Sequence, residues 1–260
     1  MSGLKLTEHY AIKDVADAYD QRLNFSQEVF DKIHDFCEAN GSEFLLAVDV
    51  CCGPGNSTVI GFDVSEEQLA HAPKNLPNVQ FQVANANDMS FLESNSVDLV
   101  TVAMALHWLD LERFYREVDR VLKPGGVLII YNYSYYVRLS PPQAQKVHEH
   151  YSGLVLDRYY ESYMDNVRDD YRRIALPYPG WKRNDDLNLE REFTLDGYLG
   201  YLNSISLYDR YSKEQNNTDF MADIYKAMEQ ALREAGMTSK DSLIKASWPL
   251  FMLMGQKPRT

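Results

Sequence analysis

Asp49-Val50-Cys51-Cys52-Gly53-Pro54-Gly55 is the stretch whose residue types and spacing carry the most chemistry. A Gly-x-Gly turn lets the backbone approach a ligand closely and take positive φ. An acid just before it can hold a charged amine or order the loop. Eight positions after Gly55 stands Asp63, an acid able to accept hydrogen bonds from both hydroxyls of a ribose. Helix capping competes for Asp63, and Ser65 is the rival cap. Ala84-Asn85-Ala86-Asn87-Asp88 offers amides and polar side chains to an adenine edge, although alone it is also an ordinary capped loop. Ala105-Leu106-His107-Trp108 combines small residues, which leave room for a ligand, with an imidazole and an indole. His107 is a candidate to orient or deprotonate a nucleophile, against the commoner role of structural hydrogen-bonder. Trp108 is a candidate ligand contact, against simple packing.

Other reactive side chains form weaker patterns. His148 and His150 flank Glu149, but residues two apart on a helix do not share a face, which argues against a metal site. Cys51 and Cys52 lack an evident base or resolving partner, which argues against a catalytic thiol. Arg138, Arg158, Arg168, Arg172, Arg173 and Arg210 lie among many tyrosines; arginine forks suit carboxylates, and most are expected to pair with nearby acids on solvated helices. Tyr133, Tyr135 and Tyr136 are placed to frame a second substrate.

The elements that must position these groups follow from hydrophobic pattern. Residues 26–39 read as an amphipathic helix with Ser26 as its cap and Gly41 at its end. Phe44 to Val50, Val59 to Val64, Val79 to Val83, Val97 to Met104 and Val127 to Tyr133 are short, nearly continuous apolar runs, the pattern of strands buried on both faces of a parallel sheet. Leu111 to Leu122 is helical, and Lys123-Pro124-Gly125-Gly126 stops it. This alternation predicts crossover units and a Rossmann-like, mostly parallel α/β sheet flanked by helices. Ser242 to Ser247 and Pro249 to Met254 read as the last two of seven strands, after a helix over 220–235. The predicted organisation is an N-terminal arm and core over 1–133, a helical cap or insert over 134–219, and the final helix and strands over 220–260. The turn Asp49 to Gly55 then leaves the first strand at its carboxyl end, where open α/β sheets bind ligands.

Composition narrows the function class. The 260 residues suit one large α/β domain or a core with a cap. The formal net charge of −12 disfavours non-specific binding to nucleic acid or an anionic membrane. Three cysteines, Cys37, Cys51 and Cys52, make neither a disulfide framework nor a metal motif. With no apolar signal core in Met1 to Tyr10 and no membrane-spanning run, the expected compartment is the reduced cytoplasm.

In their order these motifs resemble the class I S-adenosylmethionine-dependent methyltransferases, over roughly Tyr19 to Tyr133. Asp49 to Gly55 resembles the first motif, with Cys51 where a glycine usually stands. Asp63 resembles the ribose-binding acid, Asn85, Ala86 and Asn87 the adenine-side segment, and Leu122 to Gly126 the frequent Leu-Lys-Pro-Gly-Gly turn. His107-Trp108 and Asp196 to Ser206 are similar to the trans-aconitate methyltransferase-like group. The resemblance implies S-adenosylmethionine as cofactor, held by Tyr19, Asp49, Cys51, Gly53, Gly55, Asp63, Asn85, Ala86, Asn87 and Ala103. It implies a small-molecule acceptor, with carboxylates among the candidate classes; Trp108, Tyr133 and Arg138 are the candidate acceptor contacts and His107 the candidate catalytic group. No metal, nucleic acid or membrane partner is expected.

One spacing departs from the pattern. Dinucleotide folds place the ribose acid about 20 residues past the glycine turn, and parallel crossovers take a dozen residues or more. Eight extended residues reach roughly 28 Å, enough to run back along a strand of roughly 17 Å, but leave no room for a helix. A variant lacking that helix, cover from other elements or a partner chain, and an absent stretch of sequence are all open. Each is favoured over a different fold, because the other motifs stay in order. A binding or regulatory protein on a decayed fold is the main rival. A nicotinamide enzyme is disfavoured by Thr58 at the third glycine position.

Overall fold

The computed structural model describes residues 25–41, 46–50, 60–72, 79–159, 164–214, 219–239 and 241–260. Its five first strands are β1 (Ala47–Val50), β2 (Ile60–Asp63), β3 (Gln80–Val83), β4 (Val97–Ala103) and β5 (Leu122–Tyr133). All five run parallel in the order β3-β2-β1-β4-β5. The strand period of two divides their side chains between the faces. Val48, Val50, Val100, Val102, Leu128 and Ile130 enter one core with Phe62. Leu99, Val127, Ile129 and Tyr131 enter another. Both faces are apolar, so both must be covered.

Helix α1 (Gln27–Ala39) covers the second face with Val29, Ile33 and Cys37, one residue per turn. Ser26 has an extended N-cap conformation but makes no side-chain cap bond, so the expected cap is one of position only. A five-residue helix, α2 (Glu66–Ala70), follows β2, and α3 (Leu111–Val121) joins β4 to β5. Asp110 caps α3 by accepting the Arg113 N–H, and Phe114, Val118 and Val121 pack on the first face. The Lys-Pro-Gly-Gly segment does end α3. It also belongs to β5, whose pairing with β4 shifts register between Val97 and Leu99. Gly125 takes φ +83°, a conformation glycine adopts without strain.

Beyond β5 come β6 (Arg138–Ser140), α4 (Pro142–Arg158), α5 (Met164–Arg168), β7 (Lys182–Phe193), α6 (Leu195–Asn203), α7 (Ser206–Glu214), α8 (Phe220–Glu234) and β8 (Ile244–Gln256). The sheet has eight strands among the described residues, rather than seven. Two features account for the difference. The span read as a helical cap contains two strands, β6 and β7, and the alternation of β7 is masked by charge on its exposed face. The expected pair of strands over 242–254 is one thirteen-residue strand, β8. Pro249 reads as a strand breaker in sequence, but it falls where β5 has ended at Leu250 and β6 has not begun at Ser247. There its missing N–H interrupts neither strand.

β8 is antiparallel to β5 and β6 on one side and to β7 on the other. Its carboxyl half belongs to the main sheet. Its amino half carries Ile244, Ala246 and Trp248 into a third core with Phe193, Tyr198, Tyr201, Phe220, Ile224 and Met228. Helix α8 therefore packs with the helices of the 134–219 span, even though it follows that span in sequence. β8 ties this helical layer to the sheet and sets it beside the carboxyl edge of β5. No helix among the described residues is long and apolar enough to cross a membrane.

Candidate active site

The carboxyl edge of the parallel strands gathers the polar groups. Asp49 and Thr101 are directly paired in the β1–β4 register, so their side chains share a face. The Thr101 hydroxyl donates to Asp49 Oδ1 at 2.7 Å. Asp49 is buried, and burial raises its pKa from 3.8 to about 6; Thr101 opposes the rise and the nearby charge of Asp63 adds to it. This carboxylate is kept in an environment that disfavours its charge.

Asp63 ends β2 and accepts the Ser65 N–H at 2.8 Å through Oδ1. Ser65, not Asp63, caps α2, its hydroxyl accepting the Gln68 N–H. Asp63 also anchors the next loop through its backbone, since its carbonyl accepts the Ala84 N–H at 2.9 Å. Past that bond, Asn85 Oδ1 accepts the Asn87 N–H and the Asn85 carbonyl accepts the Asp88 N–H, a tight Asx-type turn. Ala86 is buried within it. Asn87 Oδ1 is buried and has no hydrogen-bond partner among the described residues. A buried acceptor without a donor is uncommon in a native protein. Ala103, at the end of β4 and opposite Tyr131, completes this edge.

Tyr19, Cys51, Gly53 and Gly55 lie outside the described residues. The strands that bracket the glycine turn are described. β1 and β2 are adjacent and parallel, with Val50 opposite Phe62. Residues 51–59 alone connect them.

His107 and Trp108 form a 3-10 turn after β4, their rings 5.0 Å apart and half-buried. His107 Nδ1 lies 2.6 Å from the Tyr171 hydroxyl, and the His107 backbone N–H approaches the same oxygen at 3.3 Å. The hydroxyl oxygen accepts from that N–H, and the direction of its bond with Nδ1 is set by the imidazole tautomer. Burial lowers the His107 pKa to about 4. The imidazole is thus neutral near pH 7 and a weak base, which is poor design for the deprotonating role and suited to orientation.

Beyond Met104 and Tyr133, at the ends of β4 and β5, lies a cavity of about 840 Å³ between the sheet and the helical layer. Tyr133 and Arg138 line it, as do His148 and Glu149 of α4, Asp170 and Arg172 after α5, and Trp248 and Phe251 of β8. His107 and Trp108 are not part of its wall. His148 is held by the Tyr198 hydroxyl at 2.6 Å and is lowered by burial to about 4. Among the described residues no group of acids, histidines and cysteines could hold a metal ion. Sequence reasoning missed Thr101, Tyr171 and Asp170. Strand register could have found Thr101; the other two come from a turn with no pattern of its own.

A mostly parallel sheet with an antiparallel last strand inserted beside β5, and a polar site along its carboxyl edge, defines the α/β methyltransferase class. A methyltransferase-domain family model matches residues 40–130. A Dictyostelium discoideum protein assigned as a methyltransferase is 30% identical over 246 residues, covering 91% of this chain and 90% of that relative. The trans-aconitate 2-methyltransferase of Variovorax paradoxus is 36% identical over 100 residues, 34% of this chain and 38% of that enzyme. A type II methyltransferase structure from Anaeromyxobacter dehalogenans superposes with a TM-score of 0.70 at 24% identity, covering 92% of this chain and 99% of that one. The chain belongs to the S-adenosylmethionine-dependent methyltransferase family, and its fold is that of the class I enzymes.

Proposed function

We propose that this chain transfers the methyl group of S-adenosylmethionine to a small carboxylate bound in the 840 Å³ cavity. The observation that carries the acceptor class is Arg138: it lines the cavity, and no ion pair engages it among the described residues. Arginine presents a planar fork that matches a carboxylate.

The chain's residues suit the cofactor in three places. Asn87 Oδ1 is a buried acceptor that an adenine amine would satisfy. Asp63 at the end of β2 would receive the ribose hydroxyls. Asp49 would hold the loop or the amino group of the methionyl part, and the proximity of a cation would lower its raised pKa. Tyr19, Cys51, Gly53, Gly55, Asn85, Ala86 and Ala103 would complete the pocket. When bound, the cofactor supplies an electrophilic methyl on a sulfonium.

The protein then has to align and enclose. Met104 and Tyr133 line the cavity at the ends of β4 and β5, so an acceptor oxygen tethered at Arg138 would be directed toward the strand ends, where the cofactor would lie. Orientation of this kind supplies much of the rate in a reaction between two bound reactants. An ionised carboxylate needs no base, which agrees with a neutral, weakly basic His107. Trp108 buttresses the His107 ring rather than the acceptor. The residues of 134–219 form much of the acceptor wall, with no role for nucleic acid or a membrane.

Methyl transfer from labelled S-adenosylmethionine across a panel of small acids tests this reading. Turnover of at least one acid, reduced by Arg138→Ala through a raised KM, is expected. No turnover of any acid by the full chain would refute it. The rival, a binding protein on an impaired methyltransferase fold, is favoured by one observation: only residues 51–59 join two adjacent parallel strands. Calorimetry separates the two, since tight S-adenosylhomocysteine binding with thermal protection excludes a decayed site.

A further inference from the structure

The turn after α5 holds two adjacent non-glycine residues in the left-handed region, Asp170 at φ 53° and Tyr171 at φ 56°. Such backbone is uncommon for non-glycine residues and persists where its surroundings over-determine it. Here the Tyr171 N–H donates to the Asn166 carbonyl at 2.8 Å, and Arg183 Nη1 donates to the Asp170 carbonyl at 2.8 Å. The Tyr171 ring is buried 5.3 Å from Phe251. The turn therefore sends neighbouring side chains to different places. Tyr171 enters the core to hold His107, and Asp170 joins the cavity wall.

Among the described residues Asp170 Oδ1, shielded from water, has no hydrogen-bond partner. The arginines around it are engaged elsewhere. Arg183 binds Asp185 through Nε and Nη2 at 2.7–3.0 Å, and Arg172 lies 3.9 Å from the same carboxylate. The other wall acids also have partners: Asp157 faces Arg168 at 3.8 Å and Glu149 accepts from Gln145 at 2.9 Å. Burial raises the Asp170 pKa against the pull of the Ser134 hydroxyl and of Arg172 and Arg183, with Asp185 adding to the rise. The acid thus lines a ligand-sized space from a strained turn, with one carboxylate oxygen shielded and unbonded among the described residues.

We infer that Asp170 anchors an ammonium group of the acceptor, so that the molecule methylated is an amino carboxylate with its ammonium at Asp170 and its carboxylate at Arg138. This rests on the cavity being the acceptor site. Tyr133, half-buried in the same wall, is an aromatic that suits a cation as well.

Calorimetric titrations of matched pairs test the inference: glutamate with glutarate, and tyrosine with 3-(4-hydroxyphenyl)propanoate, each with and without S-adenosylhomocysteine. The wild-type chain is expected to bind the amino member of at least one pair about tenfold or more tightly, the worth of one charge-assisted hydrogen bond. Asp170→Asn keeps the side chain's shape and is expected to bind both members alike while retaining S-adenosylhomocysteine. Equal binding of both members of every pair by wild type overturns the inference, and so does a preference that survives Asp170→Asn. Failure to bind S-adenosylhomocysteine at all counts instead against methyl transfer, since the pair comparison without it judges Asp170 separately.

Discussion

Asp49→Asn is expected to make the cofactor-free protein more stable and to remove cofactor binding. In the folded chain the Asp49 carboxyl titrates at about 6 rather than 3.8, because burial and the charge of Asp63 disfavour ionisation more than the Thr101 hydrogen bond favours it. At about 1.4 kcal/mol per pH unit, that rise is a destabilisation of about 3 kcal/mol when the group is charged. The sign follows from proton binding. Above pH 6 both folded and unfolded chains carry the charge, and the folded chain bears the whole cost. Between 6 and 3.8 the folded chain takes up the proton first, and stability from this group rises as pH falls. Below 3.8 both are neutral and the cost is gone. Asparagine keeps the oxygen that accepts from Thr101 and never ionises. The stability gap between variant and wild type is therefore about 3 kcal/mol at pH 7, about 6–12 °C in Tm for a chain of this size, and closes toward pH 4. Thermal melts of both proteins from pH 4 to 7.5 measure it. His107 and His148, lowered by burial to about 4, weaken the fold as pH drops below 6.5, but equally in both proteins, so the difference isolates Asp49. A variant no more stable at pH 7, or a gap unchanged with pH, refutes the reasoning.

Three further outcomes are expected. Tyr171→Phe removes the hydroxyl that fixes His107 and is expected to destabilise by about 1–3 kcal/mol in denaturant melts, with an upward shift in the histidine's NMR titration as water reaches the ring. Asp98→Ala breaks two links at once, the 2.7 Å pair with Lys123 and the Leu46 N–H bond. Lys123 is a third exposed, so urea titration is expected to read a loss of about 2–3 kcal/mol rather than the full value for a buried pair. Gly126→Ala would set a Cβ 2.9 Å from the Lys123 carbonyl oxygen and 3.2 Å from that of Val97. Both atoms are backbone, so the Tm is expected to fall with a cost of about 1–3 kcal/mol.

The first five strands were legible in the sequence because strands buried on both faces are apolar whatever they pair with. Val48 and Val100 declare themselves by hydropathy alone. β7 was not legible, since its outer positions are Lys182, Asp185, Glu190 and Glu192, and a one-sided strand so charged reads like a polar helix or loop. β8 was read as two strands because Pro249 is a break in sequence, and only the staggered ends of β5 and β6 make it harmless.

By itself the sequence determined the order of the parallel strands along the chain and the residues at their carboxyl ends, Asp49, Asp63, Asn85 to Asn87 and His107. These are local matters, carried by periodicity and by the few residue types that suit a turn. Tertiary structure alone decided what those residues are. The Asp49 pKa is raised to about 6 because the folded sheet buries it, with Asp63 of a neighbouring strand adding to the rise and Thr101 of another opposing it. His107 is a weak base because its ring is buried, and its Nδ1 is held by Tyr171, 64 residues away. The cavity that brings Arg138 and Asp170 into one wall exists because β8 joins the helical layer to the sheet. Protonation and acceptor choice depend on burial and on neighbours distant in sequence, and no local pattern encodes either.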